Sequence, residues 1–464
     1  MAARFVIVDH DTPLLLPPDI RDWVPADHLV HFVMDAVGQL DLQSARVNER
    51  GTGDEQYPPG MMLGLLIYSY ATGVFSSRQI ERSTSENVAV RLLCADTHPD
   101  HDTVCAFRRQ NGALLSQSFA QVLEMAARCG VLKVGGITVA IDGTKVLANA
   151  SKHSAVSYQH AGEQMRELDL EIGELLAKAE EADSTPLEDG LSIPEEVQRR
   201  HERKALLAKA RAEMEARAYA RAQAEQPHYE EVKARRDKQR ENGKKPRGRD
   251  PKPPDPTPGP KDQFNFTDPE SRIMKAGSGE HYEQCFNAQA AVEVESRLIV
   301  GEHVTNAPTD KQQLLPSFKA IAPQAGPVSE VLIDSGFFSE PAIRQIEQGE
   351  QAEPTGIKVL AALHREGHGR SVAQLEKKKD PPPPAADASF IEQMAHRVAT
   401  HNGRARYKLR QQTVEPVFGI IKQALGFRRF SLRGQAKASL EWKLVTLAYN
   451  FKRLFILGAR LSAA

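Results

Sequence analysis

Ile137-Thr-Val-Ala-Ile-Asp142-Gly-Thr-Lys145 and Val331-Leu-Ile-Asp334-Ser-Gly-Phe-Phe338 share one design. In each, an apolar run rich in β-branched residues stops on an aspartate with a glycine close behind, the pattern of a strand that ends in a turn. A third acid stands in Arg410-Gln-Gln-Thr-Val-Glu415-Pro-Val-Phe-Gly-Ile-Ile-Lys422, which reads as a helix. Acids at the carboxyl ends of neighbouring strands, with a third projecting from a helix packed on them, can hold two hard divalent ions. Such a pair activates one oxygen and stabilises another in phosphoryl transfer. Each acid alone reads as an ordinary turn or cap, because Asp and Gly mark turns wherever they occur. The three in this order, with these flanks, point to a site.

Outward from these motifs the pattern predicts a mixed α/β core. Residues 136–150 read as the first strand and its hairpin partner, Lys145-Val-Leu-Ala-Asn149. Further strands are expected over 284–294 and 297–304, then a helix over 311–321, the strand ending on Asp334, a helix over 340–348 and a strand over 356–361. Early strands followed by alternating strands and helices describe a sheet covered on both faces. Residues 1–130 read as helix. A polar turn at Pro99-Asp-His-Asp-Thr103 opens a helix ending in Phe107-Arg108-Arg109, which suits the second half of a helix-turn-helix and equally an ordinary helical hairpin.

Between the first strand and the rest lies an insertion. Met165, Leu168, Ile172, Leu175 and Ala179 step by three and four, the spacing of a coiled-coil seam. Ser192-Ile-Pro194-Glu195 opens a second helix through Leu206, Leu207 and Met214. The pair is expected to form a helical hairpin standing off the core. It exits into Lys244-Lys-Pro-Arg-Gly-Arg-Asp-Pro-Lys-Pro-Pro, too rich in proline and charge to bury a core and expected to be a disordered linker. Lys377-Lys-Lys-Asp-Pro-Pro-Pro-Pro384 is a second spacer. The expected domains are therefore a helical N-terminal DNA-binding domain (1–130), a catalytic domain (131–154 and 263–464) and the insertion (155–262).

With 464 residues, 41% hydrophobic and 26% charged, the chain is an ordinary globular protein of several domains. It carries no apolar run long enough to span a bilayer and no secretory h-region at its start. Cys94, Cys105, Cys129 and Cys285 form no Cys-x-x-Cys pair, which argues against a zinc site or disulfide framework and for reduced thiols in a cytoplasmic setting. The net charge of −1 hides a basic end: residues 401–464 hold thirteen Lys or Arg against Glu415 and Glu441. That local charge suits a surface for phosphate backbones, or else a solvated basic helix face.

The acids in this order resemble the site of DDE transposases with a ribonuclease H-like fold, and more closely insertion-sequence transposases with an InsH-like helical N-terminal domain. The resemblance spans nearly the whole chain. It is carried by Tyr57-Pro-Pro-Gly60, Pro99-Asp-His-Asp-Thr-Val104 with Phe107-Arg108, Asp142-Gly-Thr-Lys145, Asp268-Pro-Glu-Ser-Arg272-Ile-Met-Lys275, Phe286-Asn-Ala-Gln-Ala-Ala-Val292, Asp334-Ser-Gly-Phe337 and Val414-Glu415-Pro-Val-Phe418-Gly-x-x-Lys422. Relatives carry Tyr, two residues, Arg, three residues, Glu, six residues, Lys. Tyr407, Arg410, Glu415 and Lys422 follow that order, with four residues instead of three between Arg410 and Glu415.

The resemblance implies cleavage of transposon ends by activated water, then attack of the released 3′-hydroxyl on target DNA. Asp142, Asp334 and Glu415 would hold two Mg²⁺ ions, with Mn²⁺ as a substitute; oxygen-only ligands favour Mg²⁺ over zinc. Glu415 and Lys422, seven apart, would share one helix face, with the ammonium near a phosphate. Tyr407, Arg410, Lys422, Arg428, Arg429, Arg433, Arg108 and Arg109 are the expected DNA contacts. Asn287 would help orient the site or serve the fold, and His281, His303, His364 and His368 read as polar surface or DNA contacts. The implied partners are double-stranded DNA (terminal inverted repeats and target) and a second copy of the chain. A two-metal nuclease without strand transfer, and an inactive DNA-binding relative, are the competing readings.

Overall fold

Apolar runs fold where a strand can bury both faces or a helix one, as a computed structural model of the chain shows for residues 19–47, 56–133, 135–182, 193–243, 246, 248–276, 281–349, 353–363, 380–385 and 387–460. In chain order, the first helices are α1 (Leu29–Gly38), α2 (Pro59–Ala71), α3 (Ser77–Glu86), α4 (Val88–Leu93), α5 (His101–Gln110) and α6 (Gly112–Arg128). Next come β1 (Ile137–Leu147), β2 (Ala155–Ser157), α7 (Tyr158–Ala182), α8 (Ile193–Glu241), β3 (Gln263–Asn265), β4 (Arg272–Lys275), β5 (Tyr282–Glu293) and β6 (Ile299–Thr305). The rest are α9 (Leu314–Lys319), β7 (Val328–Ile333), α10 (Glu340–Gln348), β8 (Lys358–Ala361), α11 (Phe390–Ala399), α12 (His401–Gly419) and α13 (Gln435–Ile456). The described residues of 1–146, 287–432 and 436–464 form one compact unit, and those of 147–286 with 433–435 form another.

In the first unit, α2 is apolar all round and Met62 through Ala71 are all buried, which makes it the central helix of its group. Pro59 begins it, where a missing N–H costs nothing. Asp100 caps α5 by accepting Thr103 N–H at 2.6 Å. These helices share a unit with the sheet, so the boundary expected near residue 130 does not divide two compact units.

The sheet of this unit runs β6-β5-β1-β7-β8. β6 is antiparallel to β5 (Ala288↔Val304), while β1, β7 and β8 run parallel (Ala140↔Leu332, Leu332↔Leu360). Val294 N–H donates to Thr138 O and, at the other end of the pair, Ala148 N–H to Gln284 O. Those two bonds bracket an antiparallel β1–β5 ladder in which Gly143 lies across from Gln289. The expected hairpin partner at 145–149 is therefore not a separate strand: β1 runs unbroken to Leu147, because β5 supplies a ladder along its whole length.

α13 lies along the antiparallel side of the sheet. Trp442 Nε1 donates to Gln289 O at 3.0 Å, and Asn450 both accepts from Ile299 N and donates to Ile299 O, at 2.9 and 2.8 Å. The same helix closes on the N-terminal helices through buried polar groups. Arg108 Nη1 donates to Tyr70 Oη at 2.7 Å and to Phe75 O at 3.1 Å, and Tyr70 Oη donates to Glu441 Oε1 at 3.4 Å. The other Glu441 oxygen accepts Ser431 and Leu432 N–H at 2.8 and 3.0 Å. Burial pushes the Glu441 carboxyl up, and the Arg108 charge and the backbone donors oppose it.

In the second unit the helical hairpin is as the spacing predicts. Ala161 and Leu168 of α7 pack with Leu207, Ala210 and Met214 of α8, and Val156 and Phe264 close one end of the seam. Those two belong to β2 and β3, an antiparallel pair (Val156↔Phe264) that forms a sheet of its own. β4 pairs with the start of β5 (Arg272↔Cys285). Three- and four-residue strands carry too little alternation to be read from sequence. Residues 248–262 contain no helix or strand. Ser192, Lys244, Lys245, Arg247, His364, His368 and Lys377–Lys379 lie outside the described residues.

Removing a guanidinium from beside a buried carboxylate costs about 3–5 kcal/mol, whereas an exposed substitution changes stability by about 0.5 kcal/mol or less. Arg108→Ala should therefore shift urea unfolding far toward low denaturant, with Arg109→Ala close to wild type. Tyr70→Phe, which removes only the bridging hydroxyl, should cost about 1–3 kcal/mol.

Candidate active site

The parallel pairing of β1 with β7 decides where the first two acids meet. Val139 faces Val331 and Ala140 faces Leu332, and the same register carried two residues further sets Asp142 beside Asp334. β7 stops at Ile333, as its sequence predicts, and Asp334 turns the chain by accepting Gly336 N–H at 2.8 Å and Phe337 N–H at 3.3 Å on Oδ1. Asp142 does not end its strand. It lies midway along β1, which continues past the end of β7.

Arg410, on the buried face of α12, lies against both carboxylates. Its Nη1 is 3.0 Å from Asp142 Oδ2 and its Nη2 is 3.9 Å from Asp334 Oδ2, with the residue only 8% exposed. Tyr407, one turn earlier, lies beside the same guanidinium, whose charge opposes the rise that burial causes in the tyrosine pKa. Burial pushes the Asp142 carboxyl up to about 6; Arg410 opposes the shift, and the Asp334 and Asp310 charges add to it.

Behind Gly143 lies a second set of polar groups that the sequence reading found only in part. Asp310 Oδ1 accepts from Asn287 Nδ2 at 2.6 Å and Gln289 Nε2 at 2.8 Å, and Lys145 Nζ lies 3.6 Å from it. Asn287 and Gln289 are fully buried, and their side-chain oxygens have no hydrogen-bond partner. An unsatisfied buried oxygen costs about 1–3 kcal/mol, so the arrangement is held against a penalty. Asn287 was read as a candidate; Gln289 and Asp310 were not. Two amides two residues apart on an otherwise apolar strand were the available signal, because they must share a face.

Glu415 is exposed on α12 and takes no part in the Asp142–Arg410–Asp334 contacts. Five residues past Arg410, it stands roughly 140° away around an ideal helix. Among the described residues no group of three or more His, Cys, Asp or Glu side chains could hold a metal ion. The donor chemistry of the Asp142–Asp334 pair still fits a hard cation, since two carboxylates stand side by side on neighbouring chains of the sheet.

Glu415 and Lys422 do not share a regular helix face. α12 ends at Gly419, and Ile420–Ala424 form a π-helical turn, which changes the angular step. Lys422 Nζ donates to Lys145 O at 2.7 Å and so ties this turn to β1 instead of facing solvent. Arg108, expected on DNA, is a buried partner of Tyr70, while Arg109 is exposed. Arg428, Arg429 and Arg433 are exposed; Arg428 Nε donates to Lys422 O at 3.1 Å and Arg433 Nε to Asn149 O at 3.2 Å. His303 is half-buried against Gln313 and its pKa is pushed down by burial, whereas His281 is exposed beside Glu283.

Much of the basic C-terminal charge is spent inside the unit. Arg406 Nε pairs with Glu330 at 2.8 Å, Lys443 with Glu302 at 3.0 Å, and Lys452 and Arg453 donate to Ala71 O and Ser296 O.

Two protein families match the chain: Transposase DDE domain over residues 385–455, which holds Tyr407, Arg410, Glu415 and Lys422, and Transposase domain (DUF772) over residues 18–110, which holds α1 through α5. No curated protein and no solved structure matches. No helix among the described residues is long and apolar enough to cross a membrane. Transposase matches thus lie at both ends of a unit whose sheet sets two aspartates side by side, and together they support an insertion-sequence DDE transposase.

Proposed function

We propose that this transposase cuts the ends of its element and joins them to target DNA at Asp142, Asp334 and Glu415. The observation that carries the reading is the Asp142–Asp334 pair on adjacent parallel strands with Arg410 across it. The strand order β6-β5-β1-β7-β8, antiparallel on one side of β1 and parallel on the other, supports a ribonuclease H-like core. Two Mg²⁺ ions, with Mn²⁺ as a substitute, would be held by the three carboxylates and supply activation of the attacking oxygen and stabilisation of the leaving one.

The chain's own groups do the rest. Asp142 and Asp334 give a pair of donors that the β1–β7 register sets side by side, and Glu415, exposed on α12, would turn inward to add the third. Arg410 offsets the mutual repulsion of the aspartates. Arg428, Arg429 and Arg433, exposed and close in sequence, hold phosphates, and Arg109 does so from the N-terminal helices. The partners are the terminal inverted repeats and target DNA, with a second copy of the chain so that two ends are cut together. The helical hairpin of α7 and α8 then serves end pairing.

Asp142→Asn, Asp334→Asn and Glu415→Gln should each lower Mg²⁺-dependent cleavage of end-containing DNA by at least about 10³-fold while gel-shift binding persists. Normal cleavage by any of the three would remove that residue from the site. Joined products separate a transposase from a nuclease, which releases fragments only. Binding should fall steeply as salt rises, and less steeply once Arg428 and Arg429 are changed to Ala, because fewer counterions are released.

Asp142 also sets a pH dependence of stability. Its carboxyl rises from 3.8 to about 6 on folding, so between those values the folded chain binds more protons and grows more stable as pH falls. Above pH 6 the buried charge costs up to about 3 kcal/mol. In chelator, Asp142→Asn should therefore be more stable than wild type at pH 7, with the difference shrinking toward pH 4. A difference that is flat with pH in paired urea titrations would contradict the assignment.

A further inference from the structure

We propose that Asp310 is a positioning residue for the reaction, fixing the direction of Asp142 through the Asn287 and Gln289 side chains and the backbone of Gly143. The proposal rests on the reading of Asp142 as a ligating carboxylate. Asp310 lies in the segment between β6 and α9. Its Oδ1 draws both amide nitrogens toward itself, at 2.6 Å from Asn287 and 2.8 Å from Gln289. Asn287 Nδ2 also donates to Ala307 O at 3.2 Å. Turning either amide over would aim its oxygen at a carboxylate, and for Asn287 at a carbonyl as well. The Asp310 charge therefore dictates which way both amides face, and their own oxygens go without partners.

The backbone of β1 rests directly on this cluster. A Cβ built on Gly143 would lie 2.4 Å from Gln289 Nε2, 2.8 Å from Asp310 Oδ1 and 2.9 Å from Asn287 Oδ1. Real Cβ atoms do not approach so closely, so the strand is pressed onto these atoms at a point where only glycine fits. Successive residues of a strand face opposite sides. Gly143 and Lys145 thus share the Asp310 side, and Asp142 is presented on the other side, where Arg410 lies. Asp142 Oδ1 accepts the N–H of Gly143 at 2.8 Å, which ties the carboxylate to the peptide that the cluster holds. Asp310 holds the direction of Asp142 through that peptide, and its charge reaches the carboxylate as well, which is why the uncharged Gln289 is the second position to change.

The test uses the full chain and Mn²⁺ alone, followed by loss of the free-ion paramagnetic resonance signal. Asp310→Ala should weaken Mn²⁺ binding about 10- to 100-fold, as removal of groups that orient a ligand does, with an unchanged circular dichroism spectrum. Gln289→Ala, which removes the nearest contact to Gly143, should weaken it in the same direction and carries the test if Asp310→Ala does not fold. Gly143→Ala should weaken it too, and adding Asp310→Ala to Gly143→Ala should cause little further loss, because both act on one peptide. Wild-type affinity in folded Asp310→Ala or Gln289→Ala, or fully additive losses, overturns the proposal. Asp142→Asn is the control: if it binds Mn²⁺ as the wild type does, the reading of Asp142 as a ligand falls, whatever Asp310 does.

Discussion

Two carboxylates side by side on parallel strands repel each other, and here one guanidinium is set against both. Like charges a strand spacing apart, about 4.8 Å, repel by about 3 kcal/mol at the effective dielectric constant of about 20 found near a protein surface, and by about 1 kcal/mol in bulk water. The β1–β7 register leaves Asp142 and Asp334 no freedom to separate by moving backbone, so the repulsion must be met in place. Arg410 meets it from α12, with Tyr407 beside the guanidinium in the turn before. The placement of α12 along β1 and β7, with Arg406 on Thr138 and Glu330 and Arg410 on the aspartates, thus follows from electrostatics as much as from its buried face of Thr413, Val414, Val417 and Phe418.

Sequence reading succeeded where a local signal and the tertiary outcome agree. The Asp334 turn needs only Ser335 and Gly336, and β7 ends where expected. α10 spans the residues read as a helix because its opening Pro341 and its apolar step from Ile343 to Ile346 lie within nine residues. At Asp142 the same acid-glycine signal misleads, because Gly143 is there for close approach and not for a turn. The extent of β1 is set by β5, far away in sequence. Asp310 follows Asn306-Ala-Pro-Thr, which reads as an ordinary polar turn, and only the folded sheet brings it behind Gly143.

Basic residues show the same division. Arg108 and Arg109 look alike in sequence, but Arg108 is four residues past buried Val104 and falls on the inner stripe of α5, whereas Arg109 falls outside it. In the C-terminal stretch, charge predicts a surface for phosphates, yet Arg406, Arg410, Lys443, Lys452 and Arg453 are used on internal acids and carbonyls. A count of lysines and arginines measures what a segment can attract, and burial decides how much of it faces outward.

The Arg108–Tyr70–Glu441 contact also has a consequence for how the chain is made. Tyr70 and Glu441 are 371 residues apart, so the ribosome releases the N-terminal helices long before their buried acid exists. At 5–20 residues per second the delay is roughly 20–70 s. During that time α2 and α5 must wait with an apolar surface and an unanswered guanidinium, open to chaperones and proteases. A chain that stops before α13 lacks the acid that answers Arg108 and Tyr70, so the buried polar contacts of the N-terminal helices depend on the last helix to be made.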